Sequence, residues 1–295
     1  MKVVIHKLGT KIIAFVLIMG FLGTTSCYKD ESLEAPVKPQ TPSEDPIDIY
    51  IQNNFVDEYG VAVRYKFVDR YVDPDKRVTP PLREVVEPAL DFLTQFWVNP
   101  YINVPNGRRF FENHVPAEVV LIGSLMYNDD GTVTLGTADA GARITLTDVN
   151  SIDLEDEEWL HLQLNVIYHE FAHIVHQLYN LPTNWQDISP EGYTSVGSWY
   201  TLSDEEALQR GFVTNYATSS FNEDFAETVA YITFYPEFYE RYLIDEENCT
   251  TNDCIARNEG RALLRRKYVA VLSHYEAVTG VDLLDVRAIV QDLLN

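Results

Sequence analysis

The sequence is poor in cysteine, in positive charge and in long apolar runs. Only three cysteines occur in 295 residues, Cys27, Cys249 and Cys254. The C-x-x-x-x-C spacing of the last two is not that of a zinc module, and no second cysteine pair completes one. In an oxidising compartment they are expected to close a small loop as a disulfide, with two free thiols as the alternative. Lys and Arg number 22 against 45 acidic residues, a formal net charge of −23. No basic stripe exists to neutralise phosphates, which argues against nucleic acid as a partner. The acidity is spread along the chain and reads as solubility. The longest apolar run, "IIAFVLIMGFLG" (12–23), is 12 residues, too short to span a bilayer comfortably. No internal repeat is visible. A hydrophobic content of 46% is compatible with a substantial core, in one large domain or two small ones.

The short apolar run has a different use. Lys2, Lys7 and Lys11 flank or precede it, and "TTSC" follows, ending at Cys27. This looks like a bacterial lipobox, with residues 1–26 as a removable leader and Cys27 as the lipidated new N-terminus; an ordinary secretory leader is the alternative. "YKDE" (28–31) resembles the acidic export signal of surface lipoproteins in Bacteroidetes. Four prolines and no apolar run mark the rest of 27–46 as an extended tether. The expectation is an outer-membrane lipoprotein, exposed at the cell surface, that touches the membrane only through its lipid. Proteinase added to intact cells should remove it; protection until lysis would refute surface exposure.

The folded part is expected over 47–295. Residues 47–60 and 82–98 read as helices, the second with Pro88 as a break. Residues 61–67 alternate like a half-buried strand. Residues 117–127 and "TVTLG" read as strands joined by an "NDDG" turn, and 142–149 as a further strand. "SDEEALQRGF" opens with a capping-box pattern, Ser203 to Glu206. Two helices separated near Gly280 close the chain.

A helix is expected from about Glu157 to Tyr179, ending before Pro182. Its apolar residues cover most of the circumference, so it is buried. Within it lies "IYHEFAHIVHQ", which contains H-E-x-x-H as His169, Glu170 and His173. Buried polar groups need partners. Two histidines one turn apart project from one face and suit a zinc ion with an open position. Glu170 stands where a carboxylate can take a proton from an activated water. His176 follows His169 by about 10.5 Å along the axis, too far to share the ion, so it is expected to line the cleft or hydrogen-bond to a ligand. The third ligand is sought in "FNEDFAETVAYITF" (221–234), an expected amphipathic helix with Glu223 and Glu227 one turn apart on one face. The plain alternative is a solvated acidic face.

Together, "YHEFAHIVHQ" and "NEDFAE" resemble the zinc-binding metallopeptidase lipoproteins of Bacteroidetes and, more broadly, the gluzincins. The resemblance implies that Glu223 is the third ligand and that Glu227 orients a ligand histidine. The two motifs also resemble, locally, the catalytic domain of anthrax lethal factor (H-E-F-G-H and E-F-F-A-E), although Ala172 and Asp224 depart from it. In that domain a tyrosine seven residues before the ligand glutamate stabilises the tetrahedral intermediate, and Tyr216 stands at that spacing here. The implied fold is α+β and zincin-like, a mixed sheet with the active-site helix in an upper lobe (47–180) and a mostly helical lower lobe (181–295). The implied activity is hydrolysis of peptide or protein substrates by a zinc-activated water, with Glu170 as general base. "GTADAGARITL" (136–146) is the candidate edge strand for extended substrate, with an ordinary glycine-containing connection as the alternative. The rival is a surface binding module whose zinc site is structural or vestigial.

Overall fold

The computed structural model describes residues 43–295, apart from 69–71, 73–74, 128–132, 135, 139–142 and 195–196. The leader, the lipidation at Cys27, most of the tether and the "NDDG" turn therefore lie outside the described residues. The compact unit starts at Ser43, slightly before Ile47. Asp45 is the reason. It caps helix α1 (Pro46–Ile51) by accepting from Ile47 N, and it accepts two hydrogen bonds from Arg83. No helix among the described residues is long and apolar enough to cross a membrane.

A short π-helical segment (Gln52–Val56) and α2 (Asp57–Tyr59) lead into strand β1 (Ala62–Arg64). Helix α3 (Arg83–Leu93) runs straight through Pro88, where the sequence suggests a break. Pro88 and Glu84 are both exposed, so the Glu84 carbonyl left without an N–H partner faces water. A π segment (Thr94–Val98), α4 (Asn99–Ile102) and α5 (Gly107–His114) complete this helical run. Strand β2 (Glu118–Leu121) follows, then β3 (Met126–Tyr127), β4 (Val133–Thr134), β5 (Gly136–Ala138) and β6 (Arg143–Leu146). The single strand expected over 117–127 is thus split. At Gly123 the chain turns against Pro80 and Asn150, and a Cβ there would meet the Pro80 carbonyl oxygen at 2.2 Å.

The main sheet has the order β1-β2-β6-β5. β1, β2 and β6 are parallel, with Val63 opposite Val119 and Val119 opposite Ile144, and β5 is an antiparallel edge on β6. Val119, Val120, Leu121, Ile144 and Leu146 are all buried, as strands covered on both faces require. The architecture is helix-rich α+β with a small mixed sheet.

Helix α6 (Glu157–Tyr179) lies against β5 and β6. Asp156 caps its start by accepting from Glu158 N and Trp159 N, and the chain leaves it at Asn180, in the left-handed half of backbone space. Phe171 packs edge-on against Trp97 and Tyr101, with ring centroids 5.6 and 5.0 Å apart. Each such buried side chain contributes about 1.5–3 kcal/mol. The remaining helices are α7 (Asp204–Gln209), α8 (Phe221–Phe234), α9 (Phe238–Tyr242), α10 (Asn252–Thr279) and α11 (Leu283–Leu294). The Ser203–Glu206 capping box forms at the start of α7. Gly280 ends α10 with φ +74°. A disulfide joins Cys249 and Cys254. Helix α8 differs from the amphipathic helix the pattern suggests: Asp224 and Glu227 are buried along with its apolar residues.

Candidate metal centre

The burial of α8 follows from its packing against α6, and that contact builds the site. Ser220 caps α8 by accepting from Glu223 N, which fixes where the helix starts. His169 Nε2, His173 Nε2 and Glu223 Oε2 then meet in a triangle. The two nitrogens are 3.0 Å apart, and Glu223 Oε2 lies 3.0 Å from His169 and 3.1 Å from His173.

The hydrogen bonds behind the triangle fix what these atoms present. His169 Nδ1 donates to Glu227 Oε1 at 2.8 Å, so its Nε2 carries a lone pair. Glu227 Oε2 accepts in turn from the Thr214 hydroxyl at 2.6 Å. His173 Nδ1 faces His176 Nε2 at 2.8 Å. Burial and the neighbouring His173 push the His176 ring down to about 4. It is therefore a neutral ring able to accept from His173 Nδ1–H, which leaves His173 Nε2 bare as well. Two lone pairs and a carboxylate oxygen, each about 3 Å from the others, repel unless positive charge sits among them. One solution is a proton: burial alone would lower the His169 imidazole, but its hydrogen bonds to Glu223 and Glu227 lift it to about 10. The other solution is a cation. Two nitrogens and one oxygen that can all reach a common point at about 2 Å suit zinc. Among the described residues no other His, Cys, Asp or Glu joins this cluster, so one tetrahedral position stays open.

Residues 40–284 match the sequence family described as "Putative zinc-binding metallo-peptidase". The chain belongs to this family. Among solved structures, a crystal structure of a "putative zinc-binding metallo-peptidase from Bacteroides caccae ATCC 43185" is similar to it, with 28% identity, coverage of 84% of this chain and 91% of that one, and a TM-score of 0.68. No curated protein matches.

In this zinc-binding metallo-peptidase family member, Glu170 and Tyr216 stand beside the triangle. The Glu170 carboxyl is buried and has no hydrogen-bond or ion-pair partner among the described residues. Burial pushes it up, the neighbouring His169 and His173 rings pull it back, and Glu223 and Glu227 push it up further. Burial also raises Glu223, but the hydrogen bonds from His169 and His173 outweigh that and hold its carboxyl far below the usual range. The Tyr216 ring lies 5.9 Å from the His169 ring and packs edge-on against Trp199 at 5.1 Å. Burial, then the charges of Glu223, Glu227 and Glu170, raise its phenol, so it stays a neutral donor. His176 sits behind His173, on the nitrogen away from the triangle.

The structure thus brings His169, Glu170, His173, Glu223, Tyr216, Glu227 and His176 into one place. It also brings in residues that the sequence pattern does not single out. Thr214 contacts Glu227. Asp224, adjacent to Glu223, pairs with Lys267 Nζ at 2.8 Å and accepts from the Tyr193 hydroxyl at 2.7 Å, with both charged side chains fully buried. The partners lie 13, 43 and 31 residues apart, and no local spacing announces them.

Proposed function

We propose that the chain is a zinc-dependent peptidase of the gluzincin type, with His169, His173 and Glu223 as the protein ligands. The observation that carries this reading is the open three-donor triangle beside a buried carboxyl, Glu170, that has no hydrogen-bond or ion-pair partner among the described residues. A structural zinc site is usually closed by four protein ligands and needs no neighbouring base, which counts against the binding-module reading.

When bound, zinc supplies Lewis acidity towards the scissile carbonyl and lowers the pKa of a water. Glu170 takes that water's proton and passes it towards the leaving amine. Its carboxyl is raised by burial, which brings a carboxylate closer to the neutral range where a general base works best. Tyr216 donates a hydrogen bond to the oxygen that becomes anionic at the attacked carbon. Glu227 holds His169 with Nε2 free, and His176 does the same for His173. In the zincin-like reading, the sheet and α6 form the upper lobe and the helices from α7 onward the lower one. Edge strand β5, beside α6, is the place where an extended peptide would pair.

Digestion of an unbiased peptide library by zinc-loaded protein, with and without a chelator, tests the function. Cleavage abolished by chelator and restored by zinc is expected. Chelator-insensitive cleavage, or none with fully loaded protein, would overturn the proposal. Metal content by mass spectrometry tests the ligands. Glu223→Ala should lose most of the zinc, whereas Glu227→Ala should weaken binding by about 10–100-fold. The reverse ranking would mean that Glu227 is the ligand. Tyr216→Phe should keep zinc and melting temperature but lower kcat by about 10²–10³ with little change in KM; wild-type turnover would remove Tyr216 from the chemistry.

A further inference from the structure

Thr214 has a single hydroxyl proton and two hydrogen bonds, which together fix its role. The Ala217 backbone N–H donates to Thr214 Oγ1 at 3.1 Å. A hydroxyl that accepts there is free to donate elsewhere, and its one proton points at Glu227 Oε2, 2.6 Å away. Glu227 is 2% exposed and lies between this donor and His169 Nδ1–H. Each carboxylate oxygen therefore has one partner, and the two partners set the plane of the carboxylate. That plane sets the tilt of the His169 ring, and hence where its Nε2 points.

The second bond reaches Tyr216. Ala217 follows Tyr216 in the short 3-10 turn Tyr216–Ser219. The same Thr214 oxygen that orders Glu227 thus anchors the turn carrying the tyrosine. The turn is held from its other side as well: Asn215 N donates to Asp204 Oδ1 at 2.8 Å, and Asn215 Nδ2 donates to the Leu202 carbonyl at 2.9 Å. Those bonds fix the loop's place on α7. The Thr214 hydroxyl ties the turn to Glu227, behind the metal ligands.

We infer that Thr214 is a positioning residue that couples the orientation of the ligand His169, through Glu227, to the placement of the Tyr216 turn. The inference rests on the proposed zinc site. It predicts that the loss of one hydroxyl, in a residue that touches neither metal nor substrate, changes metal binding. Glu227 would keep its His169 bond but lose the contact that fixes its plane, and a buried carboxylate oxygen would lack a donor.

The informative comparison is Thr214→Ala against Thr214→Ser. Both lose the methyl group, and they differ only in the hydroxyl. Zinc affinity is read by competition with a chromophoric chelator, and ligand geometry by the visible absorption of the cobalt(II)-substituted protein. Thr214→Ser should bind zinc as the wild type does and keep its cobalt spectrum. Thr214→Ala should bind about 10–100-fold more weakly and show an altered spectrum. A merely structural threonine would lower melting temperature in both variants and leave affinity and spectrum unchanged. Equal zinc affinity and identical cobalt spectra in Ala and Ser overturn the inference. Wild-type protein that binds no zinc, or whose zinc binding survives His173→Ala, overturns the zinc-site reading and the inference with it. Should Thr214→Ala not fold, Thr214→Val, of nearly the same volume as threonine, takes its place against the wild type.

Discussion

Lys267→Met is expected to destabilise the protein by about 3–5 kcal/mol, because it leaves a charge buried without its partner. The ammonium of Lys267 is fully enclosed. It donates to Asp224 Oδ1 at 2.8 Å and to the Gly211 carbonyl at 2.7 Å, and it lies 3.6 Å from the centre of the Phe212 ring. Burial pushes the Lys267 ammonium down and the Asp224 carboxyl up, and each charge counters the other's shift. Methionine fills much of the same space but supplies no positive charge, so Asp224 keeps the Tyr193 hydroxyl but loses its cationic partner. Adding Asp224→Asn should recover a large part of the loss, since the double variant buries no net charge and the amide oxygen still accepts from Tyr193. Denaturant midpoints of the wild type, both singles and the double measure this. A Lys267→Met protein within about 1 kcal/mol of wild type, or a double variant no better than the single, would show that the pair does not hold α8 on α10. Because Asp224 neighbours Glu223, the single variant should also bind zinc more weakly.

That pair marks where the sequence stops being readable. The H-E-x-x-H helix is legible because two local features agree, apolar residues over most of its circumference and Pro182 just beyond its end. The helix over 221–234 is legible for similar reasons, and Ser220 caps it. Its environment is not. The resemblance points Glu223 and Glu227 at the metal, but in so acidic a chain a solvated face is the plain alternative, and nothing local singles out Asp224. Only the packing of α8 on α6, and a lysine 43 residues downstream, show that Asp224 and Glu227 are interior groups with assigned partners. Pro88 shows the opposite case. A residue that reads as a break is tolerated because the carbonyl it orphans is exposed. The sheet is legible where its strands carry branched apolar residues, as at Val119, Val120, Ile144 and Leu146. The split between β2 and β3 is not, since it depends on how closely Gly123 approaches Pro80. Helix α5 and the short helix α9 carry no pattern strong enough to announce them. Long-range contacts decide such features, and local spacing does not encode them.

Glu170→Gln is expected to lower kcat on a cleaved peptide by about 10²–10⁴ while leaving zinc content unchanged. Glutamine keeps the shape and the polar oxygen but cannot take a proton from water. It is not a member of the donor triangle, so the metal ligands should be undisturbed. KM should change little, because proton transfer is a demand of the transition state and not of substrate binding. Stability should hold or rise. The wild-type carboxyl is buried and has no hydrogen-bond partner among the described residues, and burial is the largest cause that raises it. Replacing it by a neutral amide removes the cost of burying a charge there, the pattern seen where a site is arranged for activity at some expense of stability. Steady-state kinetics, metal analysis and a thermal melt on the same preparation test all three expectations. Wild-type turnover in Glu170→Gln would remove the glutamate from the reaction. Loss of zinc together with loss of activity would instead make Glu170 a support for the metal site, and the proton would have to go to another group.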